Sequence, residues 1–267
     1  MFQPPTDNDL LLAALTDVID KAMQANNDSQ PRRQYLGASA VGDPCSRKLA
    51  YSFHATPKDA DAAFPGKTLR MFDMGHDGET RMAEYLRLAG FNLQTHKDDG
   101  KQIGIADCGG KFKGHLDGVI HGGPALPGLT YPALWENKAL GDSTYKKFKK
   151  DGLKGFKLTY FAQVQIYMGY YELPCCLFTA INRDSGELHA ELVPFDAVEC
   201  QALILKATRI TESERPEEFE RSGKHENHHE PNGISCKFCD YRSRCWNLAP
   251  VEIPKPTNEA PAWLRRS

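Results

Sequence analysis

The sequence lacks both a strong net charge and any long apolar run. Its 33 basic and 35 acidic residues give a formal net charge of −2, so overall charge does not point to nucleic acid. No stretch approaches the roughly 20 apolar residues of a membrane-spanning helix. Residues 1–9 are polar and proline-bearing, unlike a signal peptide. We therefore expect a cytoplasmic protein with no membrane partner.

The chain also lacks the composition of a disordered or disulfide-stabilised protein. Of its 267 residues, 40 % are apolar and 25 % are charged, which is the usual balance of a globular domain with a full core. Eight cysteines without a secretory signal indicate thiols that are free, buried or metal-bound rather than a disulfide framework. Four of them lie in apolar or strand-like surroundings and are predicted core residues: Cys108, Cys175, Cys176 and Cys200.

Apolar spacing predicts an α/β core. The pattern is helical over about 10–23, 68–88, 159–171 and 197–211, and strand-like over about 92–95, 102–106, 111–120, 133–139, 176–181 and 187–193. Strands between helices in this order predict a central mixed sheet flanked by helices. Asn8 and Asp9 are the candidates that cap the first helix.

A carboxylate and an amine share one face of a predicted strand. In the segment LWENKAL, alternation places Leu134, Glu136 and Lys138 on the same side. Asp117 lies upstream in a strand-like segment, and antiparallel pairing of the two strands would bring it beside Glu136. Paired carboxylates repel unless a cation lies between them, and Mg²⁺ or Mn²⁺ accepts such oxygen ligands. Solvent-facing strands with an ordinary Glu–Lys pair fit the same pattern.

The long predicted helix adds a third acidic group. Glu79 falls on its apolar stripe, seven residues from both Phe72 and Leu86, and a carboxylate that faces a core is costly unless it is paired or binds metal. We predict Glu79 as a third metal ligand, with His76 as neighbour or substitute; pairing with a core arginine or lysine is the alternative. Such a metal would polarise a phosphate and activate water, with Lys138 stabilising the developing charge.

Two further segments have the composition of a substrate-binding surface. The tract TYKKFKKDGLKGFK, residues 144–157, would lie along a phosphate backbone with its rings against bases; a solvated lysine-rich connection is the alternative. Its lysines are Lys146, Lys147, Lys149, Lys150, Lys154 and Lys157, and its rings are Tyr145, Phe148 and Phe156. In the next predicted helix, Gln163 and Tyr167 share a face. They can hydrogen-bond DNA phosphates or the carboxylates, or simply belong to an amphipathic core helix.

Four motifs occur in a recognisable order: GHDGE (75–79), HLDG (115–118), WENK (135–138) and QVQIY (163–167). Together they resemble the RecB-like and lambda-exonuclease-like branch of the PD-(D/E)xK nuclease superfamily, which implies a restriction-endonuclease-like fold. The metal ligands that the resemblance implies are Glu79, Asp117, Glu136 and the backbone carbonyl of Asn137. It also implies Lys138 as the catalytic lysine, with Gln163 and Tyr167 supporting DNA. Leu116 replaces the motif's proline, a position that varies within the family.

Cysteines extend the resemblance to both ends of the core. Cys45 precedes it, and three cysteines crowd together after it: Cys236, Cys239 and Cys245. This arrangement is similar to that of the iron–sulfur nucleases of CRISPR adaptation and of the AddB type, which implies a [4Fe-4S] cluster clamping the two ends of the domain. The alternative is Zn²⁺ held by the last three cysteines and one of three histidines: His225, His228 or His229.

The resemblance implies a metal-dependent DNA nuclease. We expect an exonuclease or end-processing activity on DNA that is single-stranded or has free ends. It would serve recombination, repair, phage replication or CRISPR adaptation, alongside a recombination, helicase or CRISPR-adaptation partner protein. The alternative is a DNA-binding or assembly module whose nuclease site is idle. The expected organisation is a tail and helix (1–36), the nuclease core with Cys45 (37–222), the cysteine region (223–249) and an irregular tail (250–267).

Overall fold

A five-stranded mixed sheet forms the centre of the protein. The computed structural model describes residues 6–31, 33–59, 62–221 and 234–248. The strand order is β2-β5-β6-β7-β8, with bounds β2 Asn92–Gln94, β5 Gly118–Gly122, β6 Ala133–Leu140, β7 Cys175–Asn182 and β8 Leu188–Pro194. Strands β6 and β7 run parallel, and the other neighbours pair antiparallel. The predicted α/β class with a central mixed sheet flanked by helices is confirmed.

A second, three-stranded sheet lies beside the first. It has the order β1-β4-β3, with bounds β1 Leu36–Gly37, β3 Gly104–Asp107 and β4 Phe112–His115. The prediction of one strand over 111–120 is wrong, because the chain leaves β4 and enters β5 in the other sheet. At this crossing the Leu116 N–H donates to the Ile103 carbonyl at 2.9 Å, and the Leu116 carbonyl accepts from Gln102 Nε2 at 3.1 Å. The break leaves the next residue, Asp117, just before β5.

Helices flank these sheets. Their bounds are α1 Asp7–Ser29, α2 Ser46–Phe53, α3 Gly66–Leu88, α4 Asp142–Phe156, α5 Leu158–Tyr171, α6 Ala197–Glu212, α7 Ile234–Lys237 and α8 Arg242–Trp246. The four predicted helices are all present, although Thr6 and not Asn8 or Asp9 occupies the cap of α1, in a capping box with Asp9. None of the helices in the described ranges is both long and apolar enough to cross a bilayer.

Apolar residues cover β6 on both faces. Leu134 belongs to the main core, which α4, α5 and α6 complete, whereas Trp135 belongs to a smaller core formed with the second half of α3. The predicted alternation along β6 is thus confirmed. On α3 the predicted apolar stripe holds only in part: Leu86 is buried, but Phe72 is exposed. The first half of α3 contacts α1, where Arg70 pairs with Asp20.

Two predictions fall outside the described residues. The histidines proposed as zinc ligands, His225, His228 and His229, belong to the range 222–233, and the predicted irregular tail begins at 250.

Candidate functional site

The register of β5 and β6 brings two carboxylates together. Gly118 lies opposite Trp135 in this antiparallel pair, so Asp117 and Glu136 are neighbours across the strands, as predicted. Asp117 is 7 % exposed and Glu136 is fully buried. The backbone N–H of Asn137 donates to Asp117 Oδ2 at 2.8 Å. A strand end and a strand centre therefore hold two acidic groups inside the protein.

Among the described residues, Glu136 has polar partners on one of its two oxygens, Oε1. Lys138 Nζ donates to Glu136 Oε1 at 2.5 Å and lies 4.0 Å from Asp117 Oδ2. Gln163 Nε2 donates to the same Oε1 at 2.8 Å. Within the part of the chain that the structure describes, the buried Oε2 accepts no hydrogen bond. An oxygen of this kind is costly to bury and is available to a cation.

Burial and mutual repulsion shift the ionisation of these groups. Burial, and after it the charge of Asp117, raises the pKa of Glu136 to about 8, against the effect of Lys138. Burial also raises the pKa of Asp117, with Lys138 and the Asn137 N–H acting in the opposite direction. Burial lowers the pKa of the Lys138 ammonium, but the charges of Glu136 and Asp117 more than reverse this and raise it above its usual range. Lys138 thus stays cationic beside two carboxyl groups whose pKa values are raised.

Glu79 lies within electrostatic reach of this pair. Its side chain is half-buried, and burial followed by the charge of Asp117 raises its pKa to about 7, while Lys138 lowers it. His76, one turn earlier, is exposed, yet its charge lowers the pKa of Asp117. Helix α3 therefore brings the predicted third acid and its neighbouring histidine within electrostatic reach of Asp117.

A glycine allows α3 to approach β6. A Cβ placed on Gly78 would lie 2.6 Å from the Ala139 Cβ, which is closer than carbon atoms pack. Glu79 is the next residue along α3, and Ala139 follows Lys138 along β6. The small pair Gly78 and Ala139 thus sets the distance between the third acid and the strand that carries the other groups.

Hydrogen bonds on the opposite face of β6 hold the strand in place. Trp135 Nε1 donates to Thr179 Oγ1 at 2.9 Å, and Thr179 Oγ1 donates to Asn137 Oδ1 at 2.9 Å. Glu136 and Lys138 point the other way. Thr179 on β7 is a support that sequence reasoning missed, and only its position opposite Asn137 in the parallel pairing reveals it.

Helix α5 places its polar pair inside the protein. Gln163 is 7 % exposed and Tyr167 is 1 % exposed, because eight consecutive residues of α5 are buried. The Tyr167 hydroxyl packs against Gly114, 2.6 Å from where a Cβ would stand. The prediction that these two side chains touch DNA is therefore not supported by their placement. The other predicted role, a hydrogen bond to a carboxylate of the centre, is met by Gln163, which donates to Glu136.

The lysine tract forms two helical pieces that meet at Gly152, where φ is +65°, and it is not a loop connection. Lys146, Lys147, Lys149 and Lys150 are all exposed on α4. Its rings do not reach outward: Tyr145 is 1 % exposed and Phe148 is fully buried. The prediction that the rings meet bases is wrong for Tyr145 and Phe148, which the helical period turns into the core while the lysines face solvent. The third ring of the tract, Phe156, is half-buried.

One residue beyond the predicted set, Tyr160, lies beside Lys138. Tyr160 is half-buried, with Lys138 Nζ 5.2 Å from its ring centroid on one side and Lys157 Nζ at 4.4 Å. Lys157 also donates to the Tyr160 hydroxyl at 3.4 Å. Lys157, at the end of the lysine tract, and Lys138, at the carboxylate centre, therefore contact the same aromatic ring, that of Tyr160. Sequence reasoning missed Tyr160, although its spacing of three residues from Gln163 places both on neighbouring turns of α5.

The four predicted cluster cysteines line one cavity of about 290 Å³: Cys45, Cys236, Cys239 and Cys245. Burial first, and the charges of Cys245 and Cys236 among smaller causes, raises the pKa of Cys45. Burial raises the pKa of Cys239 to about 11, and Cys45 and Cys245 contribute. The thiols are thus close enough to influence one another. By contrast Cys108, predicted as a core residue, is only half-buried.

Contacts from α2 and the following loop hold the cysteine-bearing end. Tyr51 and Tyr241 stack at a centroid distance of 5.2 Å. Lys58 pairs with Asp240 at 2.6 Å, and the Ser243 N–H donates to Asp59 Oδ2 at 2.7 Å. Lys48, Arg221 and Arg242 also line the cavity. The lining also includes Asp43, which pairs with Lys48 at 2.7 Å, so three basic side chains and one acidic side chain surround the thiols.

The described residues contain no group of three or more His, Cys, Asp or Glu side chains with the geometry of a metal site. At the carboxylate centre, the Lys138 amine takes one oxygen of Glu136. The remaining Oε2 of Glu136, its neighbour Asp117 and the acidic, hard-oxygen character of the set fit a divalent cation.

No family model and no curated protein sequence matches this chain. Among solved structures, the chain is similar to the crystal structure of SSO0001, with a TM-score of 0.51 and 15 % identity over 90 % of this chain and 98 % of that one. It is also similar to an alkaline exonuclease, LHK-Exo, from Laribacter hongkongensis, with a TM-score of 0.47 and 16 % identity over 71 % and 90 % of the two chains. LHK-Exo in complex with dAMP gives 0.44 and 14 % over 73 % and 90 %. At these identities the likeness concerns the fold.

Proposed function

We propose that this protein is a divalent-metal-dependent deoxyribonuclease whose centre consists of Asp117, Glu136 and Lys138. The observation that carries the proposal is the buried Glu136 carboxylate. Its Oε1 is bonded by Lys138 and Gln163, and its Oε2 has no hydrogen-bond donor among the described residues. A buried charge is costly without a partner, and a cation between Glu136 and Asp117 would remove that cost.

Mg²⁺ or Mn²⁺ is the proposed cation. Asp117 and Glu136 would hold it, with Glu79 and the backbone carbonyl of Asn137 as the further ligands that the motif resemblance implies, and His76 as the substitute. When bound, such an ion polarises a phosphate and lowers the pKa of a bound water. The raised pKa values of Glu79 and Glu136 support this assignment, because a nearby cation would stabilise the ionised form that burial disfavours.

Lys138 is the proposed catalytic lysine. Its ammonium is held between the two carboxylates and keeps its proton, so it can stabilise the negative charge that develops on a phosphodiester during hydrolysis. Gln163 would position the Glu136 carboxylate through its hydrogen bond. Tyr167 would support the site by packing against β4, not by contacting substrate.

DNA would approach along the exposed lysines of α4. The tract ends at Lys157, which contacts Tyr160 next to Lys138, so a phosphate backbone following the lysines would arrive at the proposed centre. Lysine contacts of this kind bind phosphates without regard to sequence. We further propose that the substrate is single-stranded DNA or DNA with free ends, processed in recombination, repair, phage replication or CRISPR adaptation with a partner protein of one of these systems.

A cleavage assay tests the proposed activity. End-labelled linear DNA and closed circular single-stranded DNA are incubated with Mn²⁺ or Mg²⁺; degradation of the linear DNA alone is expected for an exonuclease. Glu136→Gln and Lys138→Met should each lower the rate by at least about 100-fold. Glu187→Gln, which changes an exposed carboxylate, is the control and should leave the rate unchanged.

Two outcomes would contradict the proposal. Unchanged cleavage by both centre variants would remove these residues from catalysis. DNA binding that is sensitive to salt, without cleavage under either metal, would indicate instead a binding module with an idle centre.

We also propose that Cys45, Cys236, Cys239 and Cys245 bind a [4Fe-4S] cluster. Support comes from the shared cavity of about 290 Å³, far larger than the roughly 30 Å³ of one water. The alternative, a single Zn²⁺ held by the last three cysteines and one histidine, would take that ligand from His225, His228 or His229, which lie outside the described residues. The cluster would clamp the chain end to α2, a structural role apart from the carboxylate centre.

Metal content and colour test this cofactor. Protein purified without oxygen should be brown, with broad visible absorption and iron and sulfide in equal amounts, and Cys45→Ser should lose all three signals. Cys108→Ser, which changes a thiol outside the cavity, is the matched control and should keep them. Colourless protein that contains zinc would refute the cluster and favour the alternative with a histidine ligand.

A further inference from the structure

Helix α1 carries an apolar row that no described residue covers. Its five members are 40–67 % exposed: Leu11, Leu12, Leu15, Val18 and Ile19. The helix contacts the rest of the protein by its opposite side, where Asp20 pairs with Arg70 of α3 and Gln24 Nε2 donates to the Phe64 carbonyl at 3.2 Å. Successive residues turn by about 100°, so Asp20 and Gln24 face away from the row.

The row is symmetric about Leu15. Leu12 and Val18 stand three residues on either side of it, and Leu11 and Ile19 stand four residues on either side. A two-fold symmetric interface requires the same surface to complement itself when it is turned through 180°. Two copies of α1 that run antiparallel about Leu15 meet this requirement: Leu11 and Leu12 of one copy face Val18 and Ile19 of the other, and Leu15 faces its own copy.

The exposed area is of the size that an interface needs. The five side chains leave on the order of 500 Å² of surface exposed per chain, hence about 1,000 Å² for two copies, which reaches the lower limit for a specific interface. Contiguous apolar patches of several hundred Å² are unusual on a monomer and mark interaction sites.

The charges of α1 favour antiparallel pairing with a second copy of the helix over parallel pairing and over binding to a membrane surface. Helix α1 contains five aspartates and one lysine, Lys21. Lys21 also pairs with Asp17 of its own helix at 2.7 Å. Antiparallel pairing about Leu15 sets Lys21 of one copy level with Asp9 of the other, since each lies six residues from Leu15, whereas parallel pairing would set Lys21 level with Lys21 and Asp9 level with Asp9. Opposed helix dipoles also favour the antiparallel arrangement. The excess of aspartate disfavours an anionic lipid surface as the occupant.

We propose that this protein forms a two-fold symmetric dimer through antiparallel pairing of α1 with α1 of a second copy. The proposal does not depend on the nuclease function. Since α1 rests on α3, and α3 carries Glu79, the dimer would hold two carboxylate centres in one assembly.

Sedimentation of the full-length protein over the micromolar range tests this. Wild type should be dimeric, and Leu15→Asp should raise the dissociation constant by about 100-fold or more, because two like charges would meet at the axis. Leu88→Asp, which places the same charge on an exposed leucine at the end of α3, is the control and should stay dimeric. Circular dichroism verifies that each variant keeps its helix content.

A charge exchange tests the register independently of apolar packing. Lys21→Glu alone should weaken the dimer by roughly tenfold over its two symmetric pairs, and combining it with Asp9→Lys should restore the association. Wild-type protein that stays monomeric at every concentration would overturn the proposal. So would a dimer that survives Leu15→Asp, or monomeric protein that co-sediments with neutral phosphatidylcholine vesicles, since the row would then serve another occupant.

Discussion

The carboxylate centre and the cysteine cavity are both assembled from distant parts of the chain, yet they are held in different ways. Asp117, Glu136 and Lys138 lie on paired strands, and their positions follow from the register of the central sheet. Cys45 caps α2, while its partners sit on or near α7 and α8, helices of four and five residues. Helices this short have little stability of their own. The sheet thus preforms one site, whereas the other depends on contacts between short segments.

The two regions also differ in how the pKa values of their buried acidic groups compare with neutral pH. Carboxyl groups with raised pKa values, about 8 for Glu136 and about 7 for Glu79, titrate near neutral pH. The thiol of Cys239, raised to about 11, keeps its proton there. At neutral pH, ionised carboxylates therefore destabilise the carboxylate centre. In the cysteine cavity, the thiol of Cys239 is still neutral at this pH and has no such effect.

The largest effect is expected from crowding α3 against β6. Gly78→Ala would place a methyl group 2.6 Å from Ala139 Cβ, and overpacking of this kind costs about 1–3 kcal/mol of unfolding free energy. Because Glu79 follows Gly78, the metal-dependent cleavage rate should fall as well. Denaturant unfolding and the DNA cleavage assay measure the two effects.

Gly75→Ala is the matched control on the same helix. A Cβ at Gly75 meets no described atom within 4 Å, so this change should raise stability by roughly 0.5–1 kcal/mol through helix propensity. Equal effects of the two changes would mean that the close approach of α3 does not hold the centre in place.

A smaller effect is expected in the pH dependence of stability. Folding raises the pKa of Glu136 and Glu79 above the usual 4.5, so the folded state binds more protons than the unfolded state between about pH 5 and 8, and stability falls as the pH rises through this range. In chelator, the melting temperature of the wild type should drop by a few degrees. Glu136→Gln should flatten the slope.

Cys45→Ser sharpens the contrast between the two regions. Burial raises the pKa of Cys45 as well, so its thiol does not titrate in this window and the variant should keep the wild-type slope. If the pH dependence of stability were lost in Cys45→Ser and kept in Glu136→Gln, it would arise from the cysteine cavity and not from the carboxylate centre.

Much of the centre is predictable from local pattern. Alternation along residues 133–139 places Glu136 and Lys138 on one face, and antiparallel pairing brings Asp117 to them. These features depend on the period of a strand and on one pairing, so short stretches of sequence contain them. The third acid on α3 required one more argument, the cost of a carboxylate on an apolar stripe.

Other features depend on tertiary contacts that no local pattern contains. The break between β4 and β5 depends on Leu116 bonding to residues 102–103. The inward rings of α4 depend on the tract being helical, and alternating aromatic and lysine residues do not reveal this. The proximity of Tyr160 to Lys138 arises only when α5 packs on β6.

Mn²⁺ binding measured by electron paramagnetic resonance tests the central claim most directly. A divalent ion held by Glu136 and Asp117 predicts that wild-type protein binds Mn²⁺, that Glu136→Gln weakens binding by at least about tenfold, and that Lys138→Met binds Mn²⁺ but does not cleave DNA. Binding by Glu136→Gln that equals the wild type would contradict the account.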